Sequence, residues 1–101
     1  MNKSRRNELS KVIRGLNVIQ DKENLYDLIN ELENLKDEEQ DYYDNIPENL
    51  QNSQRAQDSE QAIENLEEAL DTLNEIYDAD EFEIDDDLIQ QAIDKIEEAS
   101  F

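Results

Sequence analysis

Carboxylates are the only abundant side chains in this sequence that could carry out chemistry, because it contains no histidine and no cysteine. Aspartate and glutamate provide 29 of the 101 residues, against nine lysines and arginines. Pairs of carboxylates act as general acids and bases in many hydrolases, but so acidic a composition produces such pairs at every spacing. No pattern distinguishes one pair from the others. We therefore predict no catalytic residue and no enzymatic activity.

The densest acidic segment, residues 78–87, is a candidate metal-binding loop, since seven of its ten residues are acidic. An EF-hand loop requires glycine at its sixth position and glutamate at its twelfth. Counted from Asp78, these positions hold Glu83 and Ile89, so the motif fails. Carboxylate-bridged metal sites in helical bundles also use Glu-x-x-His, which a chain without histidine cannot supply. The sequence predicts no specific metal site and no cofactor.

The charge is divided unevenly along the chain. Residues 1–14 carry five basic residues and one acidic residue, whereas residues 15–101 carry four basic and 28 acidic ones, for a net charge of −20. A surface this acidic repels nucleic acid and anionic membranes and attracts basic surfaces. We therefore expect the partner to be the basic surface of a nucleic-acid-binding protein, with no direct contact to nucleic acid or membrane. An acidic surface that only keeps the chain in solution is the alternative interpretation.

The apolar residues of the chain follow a helical pattern. A single glycine and a single proline are too few turn residues for an all-β fold, and apolar residues recur at steps of three and four. The first helix is predicted from about residue 4 to residue 44, with Ser4 as its N-cap. Its apolar stripe changes register at residues 20–24, so either the helix kinks there or Asp21 caps a new helix. We favour one kinked helix.

Pro47 ends this helix and places a loop at about residues 45–52. Asn52 or Ser53 is then the N-cap of a second helix, predicted at about residues 53–77. The outer face of this helix consists almost entirely of acidic residues, with few basic residues four positions away to pair with them. Each like-charge pair at i,i+4 costs roughly a few tenths of a kcal/mol. The second helix is thus predicted to repel itself along its length.

An acidic loop follows at about residues 78–85, and Phe82 and Ile84 are expected to anchor it to the core. Asp85 or Asp86 can cap a last helix at about residues 86–99, where acidic residues in the first turn also favour the helix dipole. Because no glycine or proline intervenes, one unbroken helix over residues 53–99 is the alternative.

Together these elements predict one all-α domain over residues 1–101, an antiparallel, coiled-coil-like helical hairpin with a third, C-terminal helix. A narrow hairpin leaves part of its apolar stripe uncovered, so we expect a homodimer. No apolar run approaches the roughly 20 residues of a membrane span, and the basic N-terminus lacks the apolar segment of a secretory signal. The expected location is therefore the cytoplasm.

The stretch from Glu39 to Arg55 carries a characteristic pattern. It combines an acidic and aromatic helix end, then Asn-Ile-Pro-Glu-Asn-Leu, then serine and arginine at the start of a helix rich in leucine, alanine and glutamate. With its flanking helices, over about residues 4–77, this stretch resembles a group of small acidic helical-hairpin proteins of phages and mobile elements of Gram-positive bacteria. The resemblance implies no activity. It does imply a phage or mobile-element accessory protein, a class in which inhibitors of host defence are common.

The acidic surface leads to a specific hypothesis, nucleic-acid mimicry. Duplex DNA carries one charge per roughly 1.7 Å of its axis. With 28 acids in 87 residues, one helix presents a charge roughly every 4.7 Å, and three adjacent helices bring this to about 1.6 Å. We predict a non-enzymatic inhibitor that occludes the basic groove of a defence enzyme, of the anti-restriction or anti-CRISPR type, in the host cytoplasm. The predicted contact residues are Glu60, Glu64, Glu67, Glu68, Asp71, Glu75, Asp78, Asp80, Glu81, Glu83, Asp85, Asp86 and Asp87.

Two tyrosines add a possible contact at the hairpin tip. Tyr42 and Tyr43 are adjacent, so only one of them can face the core squarely, and the other is a candidate contact. The alternative to mimicry is a coiled-coil module for protein interaction or scaffolding in a phage or mobile element. Such a module would dock through an exposed apolar stripe, whereas mimicry requires rows of exposed acids.

Overall fold

The computed structural model describes residues 1–100 and contains four α-helices, with no strand in this range. They are α1 (Lys3–Asn17), α2 (Lys22–Asp44), α3 (Gln54–Tyr77) and α4 (Asp86–Ala99), and a short 3₁₀ turn spans Glu48–Leu50. The all-α prediction is confirmed. None of the helices within residues 1–100 combines the length and the apolar character that a membrane span requires.

The predicted single helix over residues 4–44 is wrong, because the chain turns back on itself at residues 18–21. Asp21 is the N-cap of α2, and its carboxylate accepts a hydrogen bond from the backbone N–H of Asn24 at 2.8 Å. The other option, in which Asp21 starts a new helix, is the observed one. The change of register in the apolar stripe marks a turn between two helices, so the hairpin with a third helix becomes a bundle of four helices.

The first helix also differs from the prediction at its start. Asn2 is the N-cap of α1, because its Oδ1 accepts a hydrogen bond from the backbone N–H of Arg5 at 2.7 Å, while Ser4 lies exposed in the first turn.

The only glycine of the chain, Gly15, lies where α1 packs against α2. A Cβ atom at Gly15 would lie 2.7 Å from a methyl carbon of Leu28, so glycine leaves room for the Leu28 side chain between α1 and α2.

The two later helices are confirmed to within one residue at each end, and the unbroken-helix alternative is wrong. Ser53 caps α3, since its Oγ accepts a hydrogen bond from the backbone N–H of Ala56 at 3.2 Å. Asp85 caps α4, with its Oδ1 accepting from the N–H groups of Asp87 and Leu88 at 3.0 and 3.2 Å. Both caps are among the candidates that the sequence offered.

The four helices form a closed bundle in which each helix packs against two others. The contacts join α1 to α2, α2 to α3, α3 to α4, and α4 back to α1. Short connections make sequential neighbours antiparallel. Each helix turns one apolar side toward the common core, which contains Leu9, Val12, Leu16, Leu25, Ile29, Leu32, Leu35, Ala62, Leu66, Ala69, Leu70, Leu73, Ile76, Ile89, Ala92, Ile93, Ile96 and Ala99. Half-buried Phe82 and Ile84 pack against this core, as predicted for the acidic loop.

The apolar stripe of the hairpin is covered within the chain. Because α1 folds back and α4 packs on the other side, only three large apolar side chains among residues 1–100 are exposed: Val18, Tyr26 and Leu50. We expected a homodimer because the hairpin would leave its apolar stripe uncovered. The bundle removes that reason, and the homodimer stays a prediction.

Candidate acidic binding surface

The acidic residues predicted to contact a partner lie on the outer side of α3 and along its connection to α4. Each of them is exposed. We refer to this set as the acidic face. It consists of Glu60, Glu64, Glu67, Glu68, Asp71 and Glu75 on α3, of Asp78, Asp80, Glu81 and Glu83 in the connection, and of Asp85, Asp86 and Asp87 at the start of α4.

On α3 the acidic residues recur at steps of three and four, which turns them away from the core. The seven acidic residues from Glu60 to Asp78 extend over about 27 Å at the rise of an α-helix, which is roughly one per 4 Å. A single strand of duplex DNA carries one charge per roughly 3.4 Å of axis. The outer side of α3 therefore approaches the axial charge density of one DNA strand.

Glu68 differs from the rest of the acidic face because a lysine of α4 neutralises it. The Nζ of Lys95 lies 2.9 Å from Oε2 of Glu68 and 3.6 Å from Oε2 of Glu98. The hydrogen bond with Glu68 raises the pKa of Lys95, and the neighbouring negative charges act in the same direction. Within residues 1–100 no other member of the acidic face forms an ion pair. Glu68 thus belongs to the seam between α3 and α4.

The helix diagonally opposite α3 has the opposite charge. Both α1 and α3 pack against α2 and α4, so α1 and α3 occupy opposite corners of the bundle. The basic residues of α1 are all exposed except one, and they are Lys3, Arg5, Arg6, Lys11 and Arg14. The molecule therefore has a basic side at α1 and an acidic side at α3.

The two tyrosines at the hairpin tip are both half-buried at the end of α2. The guanidinium of Arg5 lies over the ring of Tyr42, 5.6 Å from its centroid, which is a cation–π distance. Tyr42 is therefore engaged inside the bundle. Tyr43 has no such ring contact among the described residues, which makes it the better of the two candidates for a contact at the tip.

A buried polar cluster joins three helices at the same end of the bundle. Glu39 of α2 is fully buried, and its Oε2 accepts a hydrogen bond of 2.6 Å from the Oγ of Ser59 on α3. Its Oε1 lies 3.4 Å from Nε of Arg5 on α1. Sequence reasoning missed the role of Glu39, although Glu39 falls at a core position of the α2 stripe, four residues after Leu35.

An open cavity of about 540 Å³ adjoins this cluster. Its lining includes Arg5 and Tyr42, together with Arg55 and three further residues, Met1, Asn2 and Asp58. Partial burial, ahead of the repulsion from nearby arginines, lowers the pKa of the α-amino group of Met1. Arg55 is exposed and forms no ion pair with a described residue, although Glu48 and Asp58 lie close to it in the sequence.

No three acidic side chains within residues 1–100 lie close enough together to hold a metal ion.

Comparison with protein-family models, with curated proteins and with solved structures gives no significant match. The function of the chain therefore has to be inferred from its own surface.

Proposed function

We propose that this protein is a non-enzymatic inhibitor that mimics nucleic acid and occludes the basic groove of a nucleic-acid-binding defence enzyme. The observation that carries the proposal is the acidic face, thirteen exposed carboxylates of which only Glu68 has a basic partner among the described residues. Unpaired carboxylates in such numbers destabilise a small helical domain by mutual repulsion. A basic partner surface would remove that repulsion on binding.

The charge density of the whole molecule supports the same proposal. The bundle is 49 Å long and carries a net charge of −20, so one net negative charge falls on about every 2.5 Å of its length. Duplex DNA carries one phosphate charge per roughly 1.7 Å. The other two dimensions of the bundle, 23 and 19 Å, are similar to each other, so the molecule has approximately the shape of a rod. A groove that binds phosphates by electrostatic attraction would therefore attract this molecule too, and would release its counterions on binding.

The opposite charges of α1 and α3 predict how the molecule would be oriented. In the field of a basic groove the acidic face is drawn inward, while the exposed bases of α1 are repelled and face solvent. The proposed mechanism is competitive occlusion, in which α3 and the connection to α4 cover the phosphate-binding residues of the enzyme.

The distribution of exposed apolar side chains argues against the alternative, a coiled-coil scaffold. Val18 lies in the turn between α1 and α2, Tyr26 lies near the start of α2, and Leu50 lies in the 3₁₀ turn near the other end of the bundle. Three side chains at the two ends of the bundle do not form the continuous stripe that helix docking requires. The surface available to a partner is therefore mainly acidic.

Affinity capture with competition tests this proposal. The tagged protein is used to capture partners from a Gram-positive host lysate, in parallel with excess duplex DNA and with about 0.5 M salt, because phosphate-mimicking contacts are weakened by both. The proposal expects a nucleic-acid-binding enzyme that DNA and salt each displace, and whose activity the protein inhibits. A partner that resists both competitors, or a partner that does not bind nucleic acid, would contradict it.

A further inference from the structure

The cavity beside the buried cluster lies at the end of the bundle where α1 begins, and it is not part of the acidic face. Tyr42 and Arg55, two of its lining residues, belong to the Glu39–Arg55 stretch. Arg5 of α1 lines the cavity as well. Two arginines therefore face one cavity in a chain that contains only nine basic residues. Nucleic-acid mimicry gives no role to this concentration of positive charge.

The guanidinium of Arg5 is held in place on two sides. Its Nε lies 3.4 Å from Oε1 of Glu39, and its guanidinium carbon lies over the ring of Tyr42, 5.6 Å from the centroid. The residue is only 9 % exposed, and its Nε is buried without a hydrogen bond. Its side chain donates no hydrogen bond to any described residue, although a guanidinium carries five N–H donors. A buried arginine with unused donors at the wall of a cavity is prepared for an acceptor that enters the cavity.

Arg55 provides the second cation. It is exposed, lines the same cavity and has no ion pair with a described residue, so its guanidinium can turn toward a ligand. Asp58 is the one acidic residue in the lining, and its Oδ1 accepts a hydrogen bond of 2.7 Å from Gln54 Nε2, so the lining holds two guanidinium groups and one carboxylate. The planar guanidinium matches the oxygens of carboxylate and phosphate groups in a bidentate arrangement.

We propose that this cavity binds an oxyanion, the phosphate or carboxylate group of a small molecule, with Arg5 as the buried anchor and Arg55 as the mobile clamp. None of the residues of the acidic face lines this cavity. The ion pair with Glu39 alone would explain Arg5, but it would not explain the unpaired Arg55 across the cavity.

The test is a titration of the full chain followed by NMR, through the backbone amides and the arginine Nε–Hε groups, at constant ionic strength. One series uses inorganic phosphate and a second uses citrate, so that the two kinds of oxyanion are compared. The test variant is Arg55→Gln. The matched control is Arg14→Gln, which removes the same charge from an exposed arginine that does not line the cavity.

The proposal expects saturable shifts at Arg5, Arg55 and Tyr42 with phosphate, citrate or both, and the more effective anion identifies the group that the cavity prefers. We expect Arg55→Gln to weaken this binding by about tenfold, whereas Arg14→Gln leaves it unchanged. Shifts that rise linearly without saturation, or that Arg14→Gln reduces as much as Arg55→Gln, would overturn the proposal. This result would not depend on whether the acidic face binds an enzyme.

Discussion

At the residue scale, the cluster of Arg5, Glu39 and Ser59 fixes how α1 joins the hairpin. Glu39 is fully buried between a hydroxyl donor and a guanidinium, so its charge is compensated only while α1 and α3 are both in place. Removing one member of a buried ion pair leaves the other uncompensated, which costs more than the pair contributes. The cluster therefore specifies the arrangement of the helices at this end of the bundle.

The first prediction concerns this ion pair. Arg5→Met should lower the free energy of unfolding by roughly 3 kcal/mol, because Glu39 loses its cation in a buried position. The double variant, Arg5→Met with Glu39→Leu, should recover most of that loss, because no buried charge remains. Urea denaturation followed by circular dichroism measures both. A double variant as unstable as Arg5→Met would contradict this account of the pair.

The sequence indicated part of this cluster. Ser59 has the spacing of the apolar residues of α3, and Glu39 lies four residues after Leu35, a spacing at which we did not recognise a core position. Their partnership was not visible in the sequence, because Arg5 and Glu39 meet only if α1 turns back along α2. The contact depends on tertiary structure, which local helical spacing does not determine.

At the scale of the elements, α3 is a helix that repels itself. Acidic residues lie four positions apart at Glu60 and Glu64, Glu64 and Glu68, Glu67 and Asp71, and Asp71 and Glu75. Only Glu68 has a compensating cation among the described residues. The helix is therefore held by its packing in the core, where Leu66 and Leu73 are fully buried.

The second prediction is that Glu64→Lys with Asp71→Lys raises the stability of the protein. Each lysine would lie four residues from an acid on both sides, so four repulsive pairs become attractive. We expect a gain of about 1 to 2 kcal/mol at low ionic strength, measured by urea denaturation. Glu68 is left unchanged because reversing it would also break its contact with Lys95. A loss of stability would show that the repulsion along α3 is already compensated.

For the turn between α1 and α2, the sequence is compatible with two structures, a kinked helix and a reversal of the chain. A shift in the apolar stripe accompanies both a kink and a reversal, and the segment Val18–Asp21 contains neither glycine nor proline. The packing of α1 against α2 and α4 decides between them, and Leu28 lies close to Gly15 where α1 contacts α2. By contrast, a proline precedes α3 and a run of acidic residues precedes α4, so the sequence marks a break before each of these two helices.

The third prediction tests that turn. Asp21→Ala should lower the free energy of unfolding by about 1 kcal/mol, because the N–H of Asn24 loses its acceptor at the start of α2. Asp21→Asn, which keeps a capping oxygen, is the matched control and should lose much less. Thermal denaturation of the two variants gives the comparison. Equal stability of Asp21→Ala and the unsubstituted protein would mean that the cap does not fix the turn.

At the scale of the whole molecule, a net charge of −20 on a bundle 49 Å long is a source of instability that salt can reduce. The fourth prediction is therefore that the melting temperature rises by several degrees when NaCl is raised from about 20 to 200 mM. Glu64→Lys with Asp71→Lys should show a smaller rise, since it carries four fewer net negative charges. A melting temperature that falls with salt would contradict the proposed balance of charges.

The fold class and the positions of the exposed acids followed from sequence because both depend on the periodicity of single helices. The bipolar arrangement did not follow, because it depends on which corner of the bundle α1 occupies. Only after α1 folds against α2 and α4 do its bases lie opposite the acids of α3. The cavity at the start of α1 could not be predicted from the sequence for the same reason.

The most direct test of the central proposal compares two charge variants in the same capture assay with graded duplex DNA. Glu64→Lys with Asp71→Lys alters the acidic face, whereas Asp27→Lys with Glu31→Lys makes the same change in net charge in the groove between α1 and α2. The proposal predicts that the first variant loses the nucleic-acid-binding partner, while the second retains it and releases it to DNA as the unsubstituted protein does. Equal retention by both variants, or equal loss from both, would contradict recognition through the acidic face of α3.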